Sequence, residues 1–222
     1  MLVPPAAPPA PASGDSRVSA HERVYRTLRS RILYGELEAG VAFTLRGIAR
    51  EFGVSMTPAR EAVRRLATEG ALSLSASGRI TTPSLSAERV EELAALRALL
   101  EPELAARALP RAHNALIDRL RAINSRVSEQ VVKNDVPGYI RTNLEFHRTL
   151  YLRAQAPSML ALTETVWLQL GPTMRMLYMS RARSDLQRHH RLILSCLAAG
   201  DEPGLRVAVR TDVTQALRML VG

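Results

Sequence analysis

FTLRGIAREFGVSMTPAREAVRRLATEGALSLSASGRITT, residues 43–82, reads as two short helices joined by a Gly-containing turn and followed by a small β-hairpin. Thr57 is placed to cap the second helix and Pro58 to take its first helical position, where a missing N–H costs nothing. Ala59, Ala62, Val63 and Leu66 recur at helical spacing and share an inward face, while Arg60 and Arg64, one turn apart, share another. Gly70 stops the helix, and Ser77-Gly78 makes a turn between two short runs rich in Leu, Ile, Thr and Ser. A helix presenting arginines, docked on a second helix and flanked by a hairpin, predicts a winged helix-turn-helix shaped for the major groove of DNA.

Charge agrees with that reading. The 222 residues suffice for one large domain or two modest ones and carry a formal charge of +9. Residues 17–83 hold 11 arginines against 6 glutamates, a net of +5, and residues 84–222 reach the same net over twice the length. The denser positive surface therefore lies with the helix-turn-helix, as phosphate contacts require. Lys133 is the only lysine, a bias better ascribed to genome composition than to function. Cys196 stands alone in the apolar run LILSCLAA; it reads as a small core residue, excludes a disulfide framework and suits a reducing cytoplasm. No apolar run approaches the roughly 18 residues of a membrane span. The opening MLVPPAAPPAPASGDS lacks a basic start and a continuous apolar stretch, so no signal peptide is expected. Its five prolines in eleven residues make residues 1–17 a disordered or polyproline-like arm.

The remaining organisation is mainly α. Val18 to Tyr34 is predicted helical, with Val24, Leu28, Ile32 and Leu33 as its stripe, which makes residues 18–83 one DNA-binding unit. Residues 84–86 look like a linker, and residues 87–222 read as an all-α bundle of about six helices. Breaks are expected at Pro110, Asp135 to Gly138, Pro157, near Arg183 and Ser184, and at Gly200 to Gly204. A bundle of this length can hold an internal cavity.

Helical spacing drops polar groups into the buried stripes of that bundle. Arg97 follows Val90 and Leu93; Asn143 and His147 lie between Ile140 and Leu150; His190 lies between Leu186 and Ile193; Asp212 follows Leu205 and Val209. Burying such groups costs about 1–3 kcal/mol each when neutral, and more when charged, unless they are paired or bind an ion. Two imidazoles, a carboxylate and an amide oxygen make a plausible shell for divalent zinc, nickel or manganese. Arg97 can grip a carboxylate bidentately, or form an internal salt bridge with Glu101 or Asp212. The same four polar groups can instead hydrogen-bond a small effector directly.

The segment GVSMTPAREAVRRL, Gly53 to Leu66, resembles the winged-helix signature of GntR-type bacterial transcription regulators. RALLEPELAARAL (Arg97 to Leu109), NLEFH (Asn143 to His147) and HHRLILSCLAAGD (His189 to Asp201) are similar to the FCD ligand-binding domain of the FadR-like branch. The resemblance implies a cytoplasmic homodimer, most often a repressor, that binds a pseudo-palindromic DNA operator and responds to a small organic acid held in the helical domain. By position it implies DNA contacts from Arg46, Thr57 and Arg60, with Gly78 at the wing tip, and a metal at Asn143, His147, His190 and Asp212. Two positions depart from the family: Met56 replaces an arginine, and Asp212 stands where a third histidine is usual. A guanidinium lost at Met56 removes a contact worth about 1–3 kcal/mol of base discrimination. Three rivals stand beside this reading. One is a direct metal sensor; another is an architectural DNA-binding protein with no effector; the third is a metalloenzyme using His147, His190 and Asp212 to activate water, for which no general base stands out.

Overall fold

The computed structural model describes residues 19–75, 77–180 and 188–218. The chain opens with helix α1, Ala20–Leu33, which buries Val24, Tyr25, Leu28 and Ile32. Strand β1, Ala42–Phe43, leads into α2, Leu45–Glu51, whose N-terminus is capped by Thr44 accepting from the Gly47 N–H at 3.0 Å. Helix α3, Met56–Thr68, buries Ala59, Ala62, Val63 and Leu66, the face that its spacing predicts.

Its start differs from the expectation. Ser55, not Thr57, holds the cap position, so Thr57 and Pro58 both lie in the first turn. Any of the first-turn N–H groups lacks a helical partner, so a proline marks that turn and not one position within it. At the far end, the Gly70 N–H reaches the Ala67 carbonyl and the Ala71 N–H reaches Leu66, a Schellman closure.

Strands β2, Ser73–Leu74, and β3, Ile80–Thr81, form the expected hairpin. Gly78 at its turn has φ +79°, a conformation that L side chains rarely adopt. β1 adds to β3 with Ala42 opposite Thr81 and Phe43 opposite Ile80, giving a three-stranded antiparallel sheet in the order β1-β3-β2. Two residues carry no readable alternation, which is why the sequence shows only the hairpin.

Beyond Pro83 the described residues form six α-helices: α4, Ala87–Ala108; α5, Asn114–Lys133; α6, Val136–Tyr151; α7, Pro157–Ser180; α8, Arg188–Ala199; and α9, Glu202–Arg218. Ser86 caps α4, Asp135 caps α6 and Asp201 accepts from the Gly204 N–H in the first turn of α9, so two of the expected breaks, at Asp135 to Gly138 and at Gly200 to Gly204, carry their own caps. The break foreseen at Arg183 and Ser184 lies outside the described residues, as do residues 1–18. Among the described residues no helix is long and apolar enough to cross a membrane. Cys196 lies at the edge of the expected core: it is half-buried, packs against the bundle core and lines a surface groove between α8 and α9.

Helix α7 serves two cores. Leu168 is fully buried among α1 and α3 residues, while its neighbour Trp167 belongs to the core of the helical bundle. Gly171 permits this contact, since a Cβ there would lie 2.1 Å from the Ile32 carbonyl oxygen of α1. The Gln169 amide donates to the Glu69 carbonyl at the end of α3 and accepts from Arg89 of α4. Arg141 to Glu36 at 3.1 Å and Arg175 to Glu38 at 3.4 Å tie the same seam.

Candidate functional site

Two sites emerge, of opposite character. The first is the outer face of α2, α3 and the wing. Arg46, Thr57, Arg60, Arg64 and Gly78 are all exposed. Among the described residues, Arg46, Arg60 and Arg64 make no ion pair, whereas Arg65 is bound to Glu22 at 2.9 Å and lies 3.6 Å above the Tyr25 ring. The helix thus separates two adjacent arginines: Arg64 presents unpaired charge, and Arg65 fastens α3 to α1. Arg50 at the end of α2 and Arg79 beside the wing tip are exposed and likewise make no ion pair among the described residues. Sequence reasoning passed over both; the signal available for Arg79 was its place directly after the turn glycine. Met56 is exposed at the start of α3, so the side chain that replaces the usual arginine does face outward.

The second site is buried. His147 from α6, His190 from α8 and Asp212 from α9 bring their ligand atoms within 4.8 Å of one another, and Asn143 is buried one turn before His147 on α6. Each imidazole has one nitrogen engaged. His147 Nδ1 lies 3.2 Å from the Tyr151 hydroxyl, and Tyr151 donates its own proton to Glu101 Oε2 at 2.9 Å. A hydroxyl that has spent its proton can only accept, so His147 donates from Nδ1. His190 Nδ1 lies 3.0 Å from Asn124 Oδ1, and the ring stacks on Phe146 with centroids 3.9 Å apart. Both Nε2 atoms are buried without a hydrogen-bond partner, although His147 Nε2 comes within 3.0 Å of Asp212 Oδ2.

Electrostatics sharpen this geometry. Burial pushes the His190 pKa down to about 4, leaving the ring neutral near pH 7. Burial alone would raise Asp212, but the His147 contact and the nearby His190 and Arg97 outweigh it and hold the carboxyl at about 2. The Asp212 carboxylate and the two Nε2 atoms then face a common point. That donor set fits a divalent cation of the borderline class, with both rings oriented from behind by hydrogen bonds.

Arg97 lies beside this centre on α4, and its Nε contacts Glu101 Oε1 at 2.5 Å in a buried pair. Of the two partners foreseen, Glu101 is the one engaged; Asp212 acts on Arg97 only through its field. Glu101 also accepts from Trp167 Nε1 at 3.0 Å. Tyr151, Trp167 and Asn124 were not singled out by sequence, because helical period identifies a buried face and not the neighbour that meets it across 50 or 66 residues.

Two family models fit the chain: the gntR family of bacterial regulatory proteins over residues 20–80 and the FCD domain over residues 92–215. The chain belongs to the FadR-like GntR/FCD family. Among relatives of this GntR/FCD regulator, the HTH-type transcriptional regulator McbR of Escherichia coli K12 is 26% identical over 214 residues, covering 95% of this chain and 97% of the relative. The gluconate operon transcriptional repressor of Bacillus subtilis 168 is 28% identical over 180 residues, covering 81% and 72%. The solved structure of E. coli McbR/YncC superposes with a TM-score of 0.82 at 26% identity over 91% of this chain and 97% of that one. As a GntR/FCD protein this chain is a DNA-binding transcription regulator and not an enzyme, which removes the metalloenzyme rival.

Proposed function

We propose that this GntR/FCD regulator is a metabolite-responsive repressor that acts as a homodimer in the cytoplasm on a pseudo-palindromic operator. Residues 18–83 form its DNA-reading head and residues 87–222 its effector-binding and dimerising domain. Arg46, Thr57, Arg60 and Arg64 contact the operator, with Gly78 carrying the wing toward the minor groove. Asn143, His147, His190 and Asp212 hold a divalent zinc, nickel or manganese ion, which when bound supplies a positive pole for an anionic ligand. The carboxylate of a small organic acid docks beside it on Arg97, in competition with Glu101. Helix α7 couples the two halves, since Trp167 touches Glu101 and Gln169 touches the end of α3. Ligand and operator affinities are then reciprocally linked, typically by about 1–3 kcal/mol.

The observation that carries this reading is the meeting of two buried Nε2 atoms, from His147 and His190, with the Asp212 carboxylate inside 4.8 Å. Elemental analysis of purified protein, before and after chelator dialysis, is expected to give one divalent ion per chain that is absent from a His147→Ala, His190→Ala variant. Stoichiometric metal retained by that variant moves the site elsewhere. Operator binding measured with the ion alone and with a panel of organic acids separates the rival reading: a direct metal sensor responds fully to the ion, whereas the proposed repressor needs the acid as well.

A further inference from the structure

The buried centre has a feature that its ligand atoms do not explain: how the His190 ring is kept facing inward. Phe146 stacks on it at an interplanar angle of 11°, which fixes the plane of the ring. Stacking cannot choose between the two orientations related by a half-turn about the Cβ–Cγ bond, which leave the ring in the same plane. One puts Nε2 toward Asp212 and His147; the other turns a C–H there and directs both ring nitrogens away. The choice falls to the hydrogen bond at Nδ1, and Asn124 of α5 supplies it at 3.0 Å. An amide oxygen only accepts, so the proton resides on Nδ1 and the lone pair on Nε2.

We infer that Asn124 is a positioning residue, holding His190 in the Nδ1–H tautomer so that its Nε2 lone pair is presented to the buried centre. The consequence for metal affinity rests on the metal reading above; the tautomer does not. Asn124 is half-buried on the floor of an open groove of about 690 Å³ between α5 and α8, beside Arg121, Ser125, Arg191 and Ser195. Substitution there alters the partner of His190 without opening the core. Tyr151 plays the matching part for His147, but it is fully buried and tied to Glu101, so its replacement disturbs more than one bond.

The test compares wild type, Asn124→Leu and Asn124→Asp as full-length, metal-free proteins labelled with ¹⁵N-histidine. Nitrogen chemical shifts are expected to show His190 as the Nδ1–H tautomer in the wild type and in the Asp variant, and as a mixture in the Leu variant. Zn²⁺ affinity, read by competition with a chromophoric chelator, is expected to fall about 10–100-fold in the Leu variant and to hold or tighten in the Asp variant, whose carboxylate makes the ring a better donor. A wild-type ring protonated on Nε2, a Leu variant that keeps both tautomer and affinity, or Leu and Asp variants that lose affinity alike overturns the assignment. Should the wild type bind no Zn²⁺, the metal reading fails, and the nitrogen shifts alone decide for or against Asn124.

Discussion

The head and the buried centre use ionisable groups in contrary ways. On α3, Arg60 and Arg64 face water with no ion-pair partner among the described residues, and their charge is available to a polyanion. Inside the bundle every charged group is enclosed, and Arg97, Glu101, Tyr151, His147 and Asp212 form one connected chain. A surface charge left unpaired costs little, because water solvates it until DNA arrives. A buried one must be answered within the fold, so this network is constrained at each link.

The sharpest break of that contrast comes from Glu101. Replacing it with alanine strands Arg97 as a buried charge and removes the acceptor for Tyr151 and Trp167. The expected loss is about 3–5 kcal/mol, measured by urea unfolding. A joint Arg97→Met, Glu101→Leu replacement is expected to recover much of it; an equal loss in both would show that the pair is not what holds this region. Next comes the seam between the halves. Gly171→Ala places a methyl against the Ile32 carbonyl and is expected to cost about 1–3 kcal/mol, read as a lowered thermal midpoint.

A comparison within the head is finer. Arg60→Ala is expected to cost about 1–3 kcal/mol of operator discrimination with stability unchanged. Arg65→Ala is expected to lower stability by about 0.5–1 kcal/mol through its lost contact with Tyr25, and to leave discrimination intact. Identical behaviour of the two would dissolve the distinction between presented and fastening arginines.

The smallest effect is acid sensitivity at Glu103, whose carboxyl is lowered by its bonds to Arg206 and Arg107. A depressed carboxyl adds stability above its unfolded pKa and loses it as pH falls through the folded value. The stability gap between wild type and Glu103→Gln is expected to be about 0.2–1 kcal/mol at pH 7, since both partners are partly exposed, and to close below about pH 4. A gap that persists in acid would assign the effect to packing.

Much of this molecule was legible beforehand, and the illegible part has a common cause. The apolar period fixed the inward face of α3, and the same period placed Asn143, His147, His190 and Asp212 inward before their meeting was visible. Periodicity speaks of a helix and its own axis. It says nothing of which exposed arginine finds a glutamate on another helix, so the pairing of Arg65 with Glu22 was not foreseen. It left Arg97 with two possible partners, and it could not show that Leu168 serves the core of the head while Trp167 serves the bundle. Strand β1 escaped because two residues take their conformation from the edge they join.

Trp167 has a practical consequence. It is the chain's sole tryptophan, and its indole hydrogen is held by the carboxylate that also anchors Arg97 and Tyr151. Any solute that loosens Glu101 must alter the polarity around that indole, so the protein carries an intrinsic optical gauge two residues from the glutamine that touches the end of the recognition helix. Emission spectra of unlabelled protein can therefore follow events in the interior while DNA is bound at the head.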